Sequence, residues 1–353
     1  MGGNGVVDTT GRRVVPADAL RALTSDVFAA VGLTREDADL MGASLTDADL
    51  RGVHTHGTRW AIRYARSLQS GGNTTPHLEV VRDDGPIAVV DGGARLGHIV
   101  STKAMRLAIE KAKQHGTGTV TVKNSSHCGA MAYYTNMAAD AGCIGFATST
   151  AGILMAPTGG KDKLIGVNPV SWGFPTKRGW NVDLDMAPSV VAGSKIDMAI
   201  VRGEKIPFGW ALDRDGNPTD DPKAGMEGLA LPLGGPKGYG LAVVLDILGG
   251  VLSGGRFGKG LGMQGGSQFF QAINIEHFLP MADFLVRMEQ LIDQIKGSAL
   301  APGSPGVFLP GEIEHMNKQT RVKDGILMEE TTLHDLETIA TELGLPHRPS
   351  TWK

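Results

Sequence analysis

The chain has 353 residues, of which 41% are hydrophobic and 20% charged, enough apolar side chain for one or two large cores. The net charge of −3 at pH 7 and the isoelectric point of about 6.4 exclude the basic profile of nucleic-acid-binding proteins. No apolar run reaches membrane-spanning length, and residues 1–7 lack the pattern of a signal peptide. Two cysteines predict neither a zinc site nor a disulfide framework, and favour a reducing, cytoplasmic location.

The first seventy residues are predicted to be mostly helical after a loose polar arm over residues 1–15. Residues 16–31 carry apolar side chains at helical spacing, and a second helix begins after Thr34, whose hydroxyl suits an N-cap. Helical character continues over residues 56–68 and ends at a glycine pair, Gly71-Gly72.

From residue 78 the apolar pattern is that of strands alternating with helices. Late helices follow the mixed middle of the chain, with a Pro/Gly-rich connection over residues 301–311 between them. The predicted strands are 78–81, 87–90, 118–122 and 144–149, and the predicted helices are 101–115, 130–139, 241–252, 281–295 and 333–343. We therefore predict an α/β fold with a sheet domain over residues 76–279 and a discontinuous helical domain from residues 1–75 and 280–353.

A doubly wound Rossmann sheet is the competing prediction. The string Gly260-Leu-Gly-Met-Gln-Gly265 has the GxGxxG spacing of a dinucleotide fingerprint. It follows residues 253–257, which do not form a strand pattern, and it does not open a convincing helix. The fingerprint needs a strand before it and a helix after it, so the Rossmann fold is disfavoured.

His127 lies in the string Asn124–Gly129, between the strand predicted over 118–122 and the helix over 130–139. Loops at such sheet edges commonly bind ligands. Because histidine changes charge near pH 7, it can transfer a proton to a reacting atom. An equally favoured alternative is that His127 only caps or supports the helix.

The segment Arg51–Arg59 contains two arginines and two histidines, His54 and His56. Arginine can form a two-pronged pair with a carboxylate or phosphate, and histidine can donate a proton. The alternative is a solvated helix junction. A metal site is disfavoured because histidines at i and i+2 do not share a helix face.

Asp185 belongs to the string Asp183–Ser189, in which aspartates alternate with apolar residues at a strand end. An aspartate there can orient a histidine ring. The alternative is an aspartate that caps the turn before Pro188-Ser189.

Two glycine loops occupy residues 157–161 and 232–240. The second contains Lys237 and runs directly into a predicted helix, which favours an anion site for a pyrophosphate. The alternative is a tight hairpin with a surface lysine.

Taken in order, these strings are similar to those of the type 2 malate/L-lactate dehydrogenase family. That family also includes ureidoglycolate dehydrogenase, diketogulonate reductase, sulfolactate dehydrogenase and piperideine-2-carboxylate reductase. The matching strings are Asp49–Val53 with His56-Gly57, Asn124–Gly129, Gly166–Pro169, Asp185–Ser189, Pro232–Gly240 and Pro310–Glu312.

The resemblance implies an atypical, non-Rossmann NAD(P)-binding sheet domain and hydride transfer between the nicotinamide and a 2-oxo acid, 2-hydroxy acid or cyclic imine. It implies a homodimer or larger assembly with the active site near the subunit interface, and no nucleic-acid, membrane or metal partner is expected. By position, His127 matches the catalytic acid/base, Asp185 its partner, and His56 a second active-site histidine.

The resemblance also implies two sets of binding residues. For NAD or NADP, they are Ser149, Asp185, Met186, Ser189, Lys237, Gly238, Pro310, Gly311 and Glu312. For the substrate, they are Arg51, Arg59, Trp60, Thr158, Val167 and Asn168.

The chain departs from the family pattern at residues expected to line the substrate pocket. Trp60 stands where members usually carry an arginine that binds the substrate carboxylate, and Arg59 is the neighbouring arginine. Val167 and Pro188 replace threonines of the family pattern. We expect a pocket for a substrate bulkier or less acidic than pyruvate or oxaloacetate, unless Arg59 turns inward.

Three functional hypotheses follow. The first is a dehydrogenase/reductase of 2-oxo/2-hydroxy acids or a bulkier ketone or alcohol. The second is a cyclic-imine (ketimine) reductase on the same scaffold. The third, a non-catalytic dinucleotide-binding protein, is disfavoured because both His56 and His127 are present.

Overall fold

The computed structural model describes residues 11–75, 77–261 and 266–352. Residues 262–265, most of the GxGxxG string, lie outside these ranges. The helices are α1 (Ala17–Ala30), α2 (Arg35–Arg51), α3 (Ala61–Gln69), α4 (Gly97–His115), α5 (Ala132–Asp140), α6 (Gly193–Arg202), α7 (Pro222–Glu227), α8 (Pro236–Asp246), α9 (Met281–Lys296), α10 (Glu312–Asp324) and α11 (Glu330–Glu342). The strands are β1 (Arg12–Val15), β2 (Glu79–Asp84), β3 (Ile87–Asp91), β4 (Thr117–Lys123), β5 (Cys143–Ser149), β6 (Ile153–Met155), β7 (Ile165–Gly166), β8 (Val170–Phe174), β9 (Val182–Met186), β10 (Ala211–Leu212), β11 (Pro218–Thr219), β12 (Leu229–Ala230), β13 (Gln268–Asn274) and β14 (Ile326–Glu329).

A seven-stranded sheet in the order β2-β3-β4-β13-β5-β8-β9 forms the centre of the protein. Strands β3 and β4 are parallel, and the other neighbouring pairs are antiparallel. The fold is therefore a mixed α/β fold, which confirms the predicted α/β class.

The two faces of the sheet carry different helices. Successive strand residues point to opposite faces: Phe270 packs with residues of α4 and α5, whereas Phe269 packs with Leu245 of α8. Glycine allows the close approach of a helix, since a Cβ on Gly118 of β4 would lie 2.0 Å from the carbonyl oxygen of Ala108 in α4.

A second core joins the two ends of the described chain. It contains residues of α1, α2, α3 and α11, and β1 pairs with β14, with Val15 opposite Ile326. The prediction of a loose arm is therefore wrong for residues 12–15, which form a strand. The division into 1–75 plus 280–353 and 76–279 stays a prediction.

The sequence missed β13, the central strand of the sheet, and α10. The predicted buried helix over 241–252 is also wrong in part. It begins earlier, as α8, and continues in a π-helical turn, Ile247–Val251. Only one face is buried: Leu245 is 2% exposed, whereas Val244 is 52% exposed.

Among the described residues, none of the helices combines the length and apolar character needed to cross a membrane.

Candidate active site

The loop that carries His127 follows β4 and is fixed by its backbone. The Ser126 hydroxyl accepts the N–H of Gly97 at 2.9 Å, and Gln268 donates to the Ser126 carbonyl oxygen at 3.1 Å. A Cβ on Gly97 would lie 2.2 Å from that carbonyl oxygen. Ser126 therefore binds the start of α4, and glycine at position 97 is required for the loop to pack so closely.

Four rings surround the His127 imidazole. His56 and Trp60 stack on it, with ring centroids at 5.7 and 5.2 Å. The Tyr64 hydroxyl hydrogen-bonds His127 Nδ1 at 2.5 Å, and the His98 ring lies edge-on at 6.2 Å. The structure thus brings together the two predicted catalytic histidines and adds two side chains to them.

Tyr64 and His98 are buried, and His56, Trp60 and His127 are half-buried. This burial sets the charge of the titratable rings. Burial, followed by the charges of His56 and Arg63, lowers the pKa of His127 to about 3. Burial and the Arg59 charge lower the pKa of His56 to about 4. Burial raises the pKa of Tyr64. At pH 7 the site therefore holds neutral imidazoles beside a neutral phenol.

His98 and Tyr64 were missed by the sequence analysis. His98 is 2% exposed and its two ring nitrogens have no hydrogen-bond partner among the described residues. Burial lowers the pKa of His98 well below its usual value. The signal for Tyr64 was its spacing, because Trp60 and Tyr64 lie four residues apart and share one face at the start of α3.

Asp185 lies on β9, and its described hydrogen bond goes to the backbone N–H of Ala132, at 2.8 Å. It therefore caps α5, whereas the hydrogen bond at His127 Nδ1 is made by Tyr64. Protein atoms crowd around Asp185, but the residue remains exposed to solvent. Desolvation raises the pKa of Asp185 to about 6, against the helix-start hydrogen bond that lowers it.

Arg51, a predicted substrate residue, is occupied within the protein. Its guanidinium donates to both oxygens of Asp183 at 2.7 and 3.0 Å, and Asn136 donates to the same carboxylate at 2.9 Å. Both partners are nearly buried, with side chains 11% and 4% exposed. In this conformation Arg51 braces α2 against β9 and is not free for a substrate.

His54 is also fully paired. Its Nδ1 hydrogen-bonds the buried Asp49 carboxylate at 2.8 Å, and Arg321 lies 3.0 Å from its Nε2. Asp49 additionally accepts the backbone N–H and hydroxyl of Thr58 at 2.8 and 2.7 Å. This cluster ties α10 to the turn that carries His56.

The three predicted cofactor segments converge on β9. The backbone N–H of Leu233 donates to the Pro188 carbonyl oxygen at 2.8 Å, which joins the glycine loop to the segment after β9. The N–H of Asp183 donates to Pro310 at 3.1 Å, and a Cβ on Gly311 would lie 2.7 Å from the Asp183 carboxyl carbon.

The glycine loop presents an open helix start. Gly234 and Gly235 have positive φ, 59° and 63°, and Gly235 caps α8 without any side chain. A Cβ on Gly238 would lie 2.5 Å from the carbonyl oxygens of Leu233 and Pro188, so only glycine fits there. Lys237 is exposed beside these backbone N–H groups.

The other predicted cofactor residues are mostly engaged locally. Ser149 is buried and donates to Thr150 at 3.0 Å, and the Ser189 hydroxyl donates to the carbonyl oxygen two residues on. Glu312 pairs with Lys296 at 2.5 Å. Met186 is half-buried on β9 beside the core under α8.

The remaining predicted substrate residues are dispersed. Thr158 is exposed, and Val167 packs against Met155 and Ala242. Asn168 is buried, accepts the N–H of Ala151 at 2.9 Å and donates to Ala242 at 3.0 Å, so its amide is used internally.

Trp60 lies in the ring cluster, where its indole donates to the Thr55 carbonyl oxygen at 2.8 Å. Arg59 is exposed on the turn before it.

A neutral imidazole that is hydrogen-bonded to a phenol can accept a proton from a reacting group. The family model described as malate/L-lactate dehydrogenase matches residues 15–337. The malate dehydrogenase of Pyrococcus abyssi is 39% identical over 345 residues, which cover 94% of this chain and 95% of that protein.

Two solved structures are also similar. The sulfolactate dehydrogenase of Methanocaldococcus jannaschii superposes with a TM-score of 0.87 at 37% identity, covering 94% of this chain and 98% of that one. The Δ1-piperideine-2-carboxylate reductase of Pseudomonas syringae superposes with a TM-score of 0.83 at 26% identity, covering 93% and 100%. The chain therefore belongs to the malate/L-lactate dehydrogenase family of oxidoreductases, as the resemblance implied.

Proposed function

We propose that the protein transfers a hydride between NAD(P)H and carbon 2 of a 2-oxo or 2-hydroxy acid. The observation that carries this proposal is the Tyr64–His127 hydrogen bond of 2.5 Å, within a cluster that keeps His127 neutral. Relatives named malate dehydrogenase and L-sulfolactate dehydrogenase support the substrate class.

In this proposal His127 moves the proton. The tautomer that this role requires has Nδ1–H donating to the Tyr64 oxygen, so that Nε2 is free to accept a proton from the substrate. In oxidation, Nε2 takes the hydroxyl proton of the 2-hydroxy acid while the hydride leaves carbon 2, giving the 2-oxo acid and an imidazolium. In reduction, the imidazolium returns that proton to the carbonyl oxygen.

The open start of α8 fits the phosphates of a dinucleotide. A Cβ on Gly235 or Gly240 would meet no atom within 4 Å, and Lys237 has no ion pair with another described residue. The positive end of a helix dipole, with an exposed lysine beside it, favours anions. When bound there, NAD or NADP supplies or accepts the hydride; the residues after β9 and Pro310–Glu312 border the same site.

The mostly antiparallel order of the sheet supports an atypical, non-Rossmann nucleotide-binding domain. Rossmann sheets are largely parallel, whereas here one neighbouring pair of the seven described strands, β3 and β4, is parallel. The two free, buried cysteines, Cys128 and Cys143, support a reducing, cytoplasmic location.

A homodimer is part of this proposal. The outer face of α8 and its π-helical turn exposes apolar side chains: Val244, Ile247, Val251 and Leu252 are 49–57% exposed. Such a continuous apolar surface favours coverage by a partner. Lys237 lies on the same helix, which supports a dinucleotide site near the subunit interface.

The test begins with fluorescence titration of NADH and NADPH, followed by turnover of 2-oxo acids, cyclic imines and uncharged bulky ketones. We expect a 2-oxo acid to be reduced fastest. Faster reduction of a cyclic imine would favour the second candidate, a ketimine reductase, which the similarity to the piperideine-2-carboxylate reductase supports. Tight dinucleotide binding without turnover of any compound would contradict both enzymatic functions.

The same panel tests whether Trp60 shifts the preference toward 2-oxo acids bulkier than pyruvate or oxaloacetate. Its indole N–H is occupied by Thr55, so it offers no donors to replace those of an arginine. Reduction of pyruvate or oxaloacetate as efficient as that of any 2-oxo acid with a larger side chain would contradict this preference.

A further inference from the structure

We propose that Arg63, held over the Trp60 ring, binds the carboxylate of the substrate in place of the arginine that position 60 lacks. This inference rests on the proposed function, because it assumes a 2-oxo or 2-hydroxy acid. Arg63 is not one of the predicted substrate residues, and in this proposal the Trp60 ring holds its guanidinium in place.

The geometry begins with the spacing of the two residues. Trp60 caps α3 and Arg63 lies in the first turn, so the two side chains are at i and i+3 on one face. The guanidinium carbon of Arg63 lies 5.0 Å from the Trp60 ring centroid, within the range of a cation–π contact. Trp60 in turn stacks on His127 at 5.2 Å. The planar, forked guanidinium of Arg63 and the His127 ring therefore share one aromatic neighbour.

The charge of Arg63 reaches the reacting groups. It is one of the causes that lower the pKa of His127, after burial and His56, and it opposes the rise in the pKa of Tyr64. In a 2-oxo acid the carboxylate is bonded directly to the carbonyl carbon. A cation that binds it must lie near the group that protonates the carbonyl oxygen, and Arg63 and His127 both contact the Trp60 ring.

Arg63 is also available. Arg51 is bound to Asp183, and Arg321 donates to the Asp49 backbone and to His54. Arg63, by contrast, is exposed and makes no hydrogen bond or ion pair with another described residue. A forked, charge-assisted pair with a carboxylate is the interaction that a free guanidinium provides best.

Arg59 is the competing candidate, since it too is exposed and makes no ion pair with the part of the chain that the structure describes. Its charge acts on His56. The two arginines differ in that the guanidinium of Arg63 lies over the Trp60 ring. A comparison of the two variants therefore decides between them.

The experiment compares Arg63→Gln, Arg63→Lys and Arg59→Gln with the wild type, using pyruvate or oxaloacetate against the neutral amide pyruvamide. We expect Arg63→Gln to lower kcat/KM for the oxo acid by about 30-fold or more, mainly through KM, and to change pyruvamide by less than about threefold. Arg63→Lys should fall between, because lysine keeps the charge without the fork. Arg59→Gln should have the smaller effect.

Arg66→Gln is the matched control. Arg66 is an exposed arginine of the same helix and pairs with Glu342, so this substitution removes the same charge at a position away from the ring cluster. An unchanged preference for the oxo acid over pyruvamide in Arg63→Gln, or a larger loss in Arg59→Gln, would overturn the proposal.

Calorimetric binding of oxalate in the presence of NADH separates this inference from the proposed function. Loss of oxalate binding in Arg63→Gln, in a protein that reduces no oxo acid, would support the carboxylate site and contradict the proposed reaction. Wild-type turnover of an oxo acid together with unchanged oxalate binding in Arg63→Gln would support the proposed reaction and contradict the carboxylate site.

Discussion

His54 and His56 lie in the same short turn, two residues apart, yet the two environments are opposite. His54 has both ring nitrogens occupied, by Asp49 and Arg321. His56 instead stacks on His127 and has one described hydrogen bond, from its Nδ1 to the Thr55 hydroxyl at 3.0 Å. Residue type alone does not separate a structural histidine from a functional one; the supply of partners does.

The same contrast appears at two helix starts that carry the dipeptide Pro-Lys. In α7 the Asp221 side chain accepts the N–H of Lys223 at 2.9 Å, so the helix start already has its anion. In α8 the corresponding cap is Gly235, which has no side chain to offer. A helix start whose cap carries no acidic side chain leaves the positive end of the helix dipole to an external anion.

The largest expected effect comes from replacing His127, which tests the difference between the paired histidine His54 and the ring cluster. We expect His127→Gln to lower turnover by about 100-fold or more, because proton transfer is lost while the ring cluster stays packed. Steady-state kinetics and a dinucleotide titration check this, and binding of the dinucleotide should change little. His54→Gln is the control and should keep turnover within about threefold; equal losses in the two variants would erase the distinction between them.

Removing Asp49 tests the structural half of the comparison. Asp49→Ala leaves His54 and the donors of Thr58 without their buried acceptor, so we expect a loss of about 3 kcal/mol in the free energy of unfolding. Urea denaturation measures it. Asp39→Ala on the same helix removes an exposed pair with Arg35 and should cost less than about 1 kcal/mol. The interpretation fails if Asp49→Ala is as stable as Asp39→Ala.

Lys237→Ala sharpens the comparison of the two helix starts. We expect about tenfold weaker NAD(P)H binding, with a difference from wild type that shrinks as salt rises, because the lysine acts through charge. Lys223→Ala removes an equivalent lysine from the helix start that Asp221 already occupies. Titrations at low and high ionic strength that give the same dissociation constant for wild type and Lys237→Ala would refute the anion site.

The smallest expected effect is on the pH dependence of stability. In the folded protein the pKa of His127 is about 3 and that of His56 about 4, against 6.5 for an ordinary histidine. Between these values the unfolded chain binds more protons, so stability falls as pH drops from 7.5 to 5.5, by about 1 kcal/mol for each histidine. Asp185, with a raised pKa of about 6, acts in the opposite direction.

Denaturation of wild type and His127→Gln at the two pH values checks this sign. The variant should lose less stability on acidification than wild type. A steeper loss in the variant would mean that His127 is protonated in the folded protein.

The sequence predicted the α/β organisation well where periodicity was strong, as in α1, α2, α4 and β4. It missed β13, because a short buried strand after a glycine-rich stretch has no helix or turn signal that separates it from a loop. In the pairing of β1 with β14, Arg12 lies opposite Glu329, more than 300 residues further along the chain. The register of β1 is thus set by a distant partner. Local patterns carry no information about such a partner.

The candidate site likewise contains features that the sequence predicted and features that it did not. The positions of His127 and the glycine loop followed from local strings and from resemblance. The roles of Arg51 and Asn168 did not, because both types suit a ligand as well as an internal partner, and only the fold places Asp183 and Ala242 beside them. Asp185 was predicted to touch the histidine, and its hydrogen bond to Ala132 depends on the register of β9 beside α5.

The pairing of β1 with β14 also constrains synthesis. The apolar faces of α1, α2 and α3 are completed by Ile326, Met328 and the residues of α11, which leave the ribosome long after these three helices. Until then a nascent chain exposes an unfinished core of leucine and phenylalanine side chains. Such a chain is a natural client for chaperones, and ribosome stalling shortly before β14 would leave it prone to aggregation.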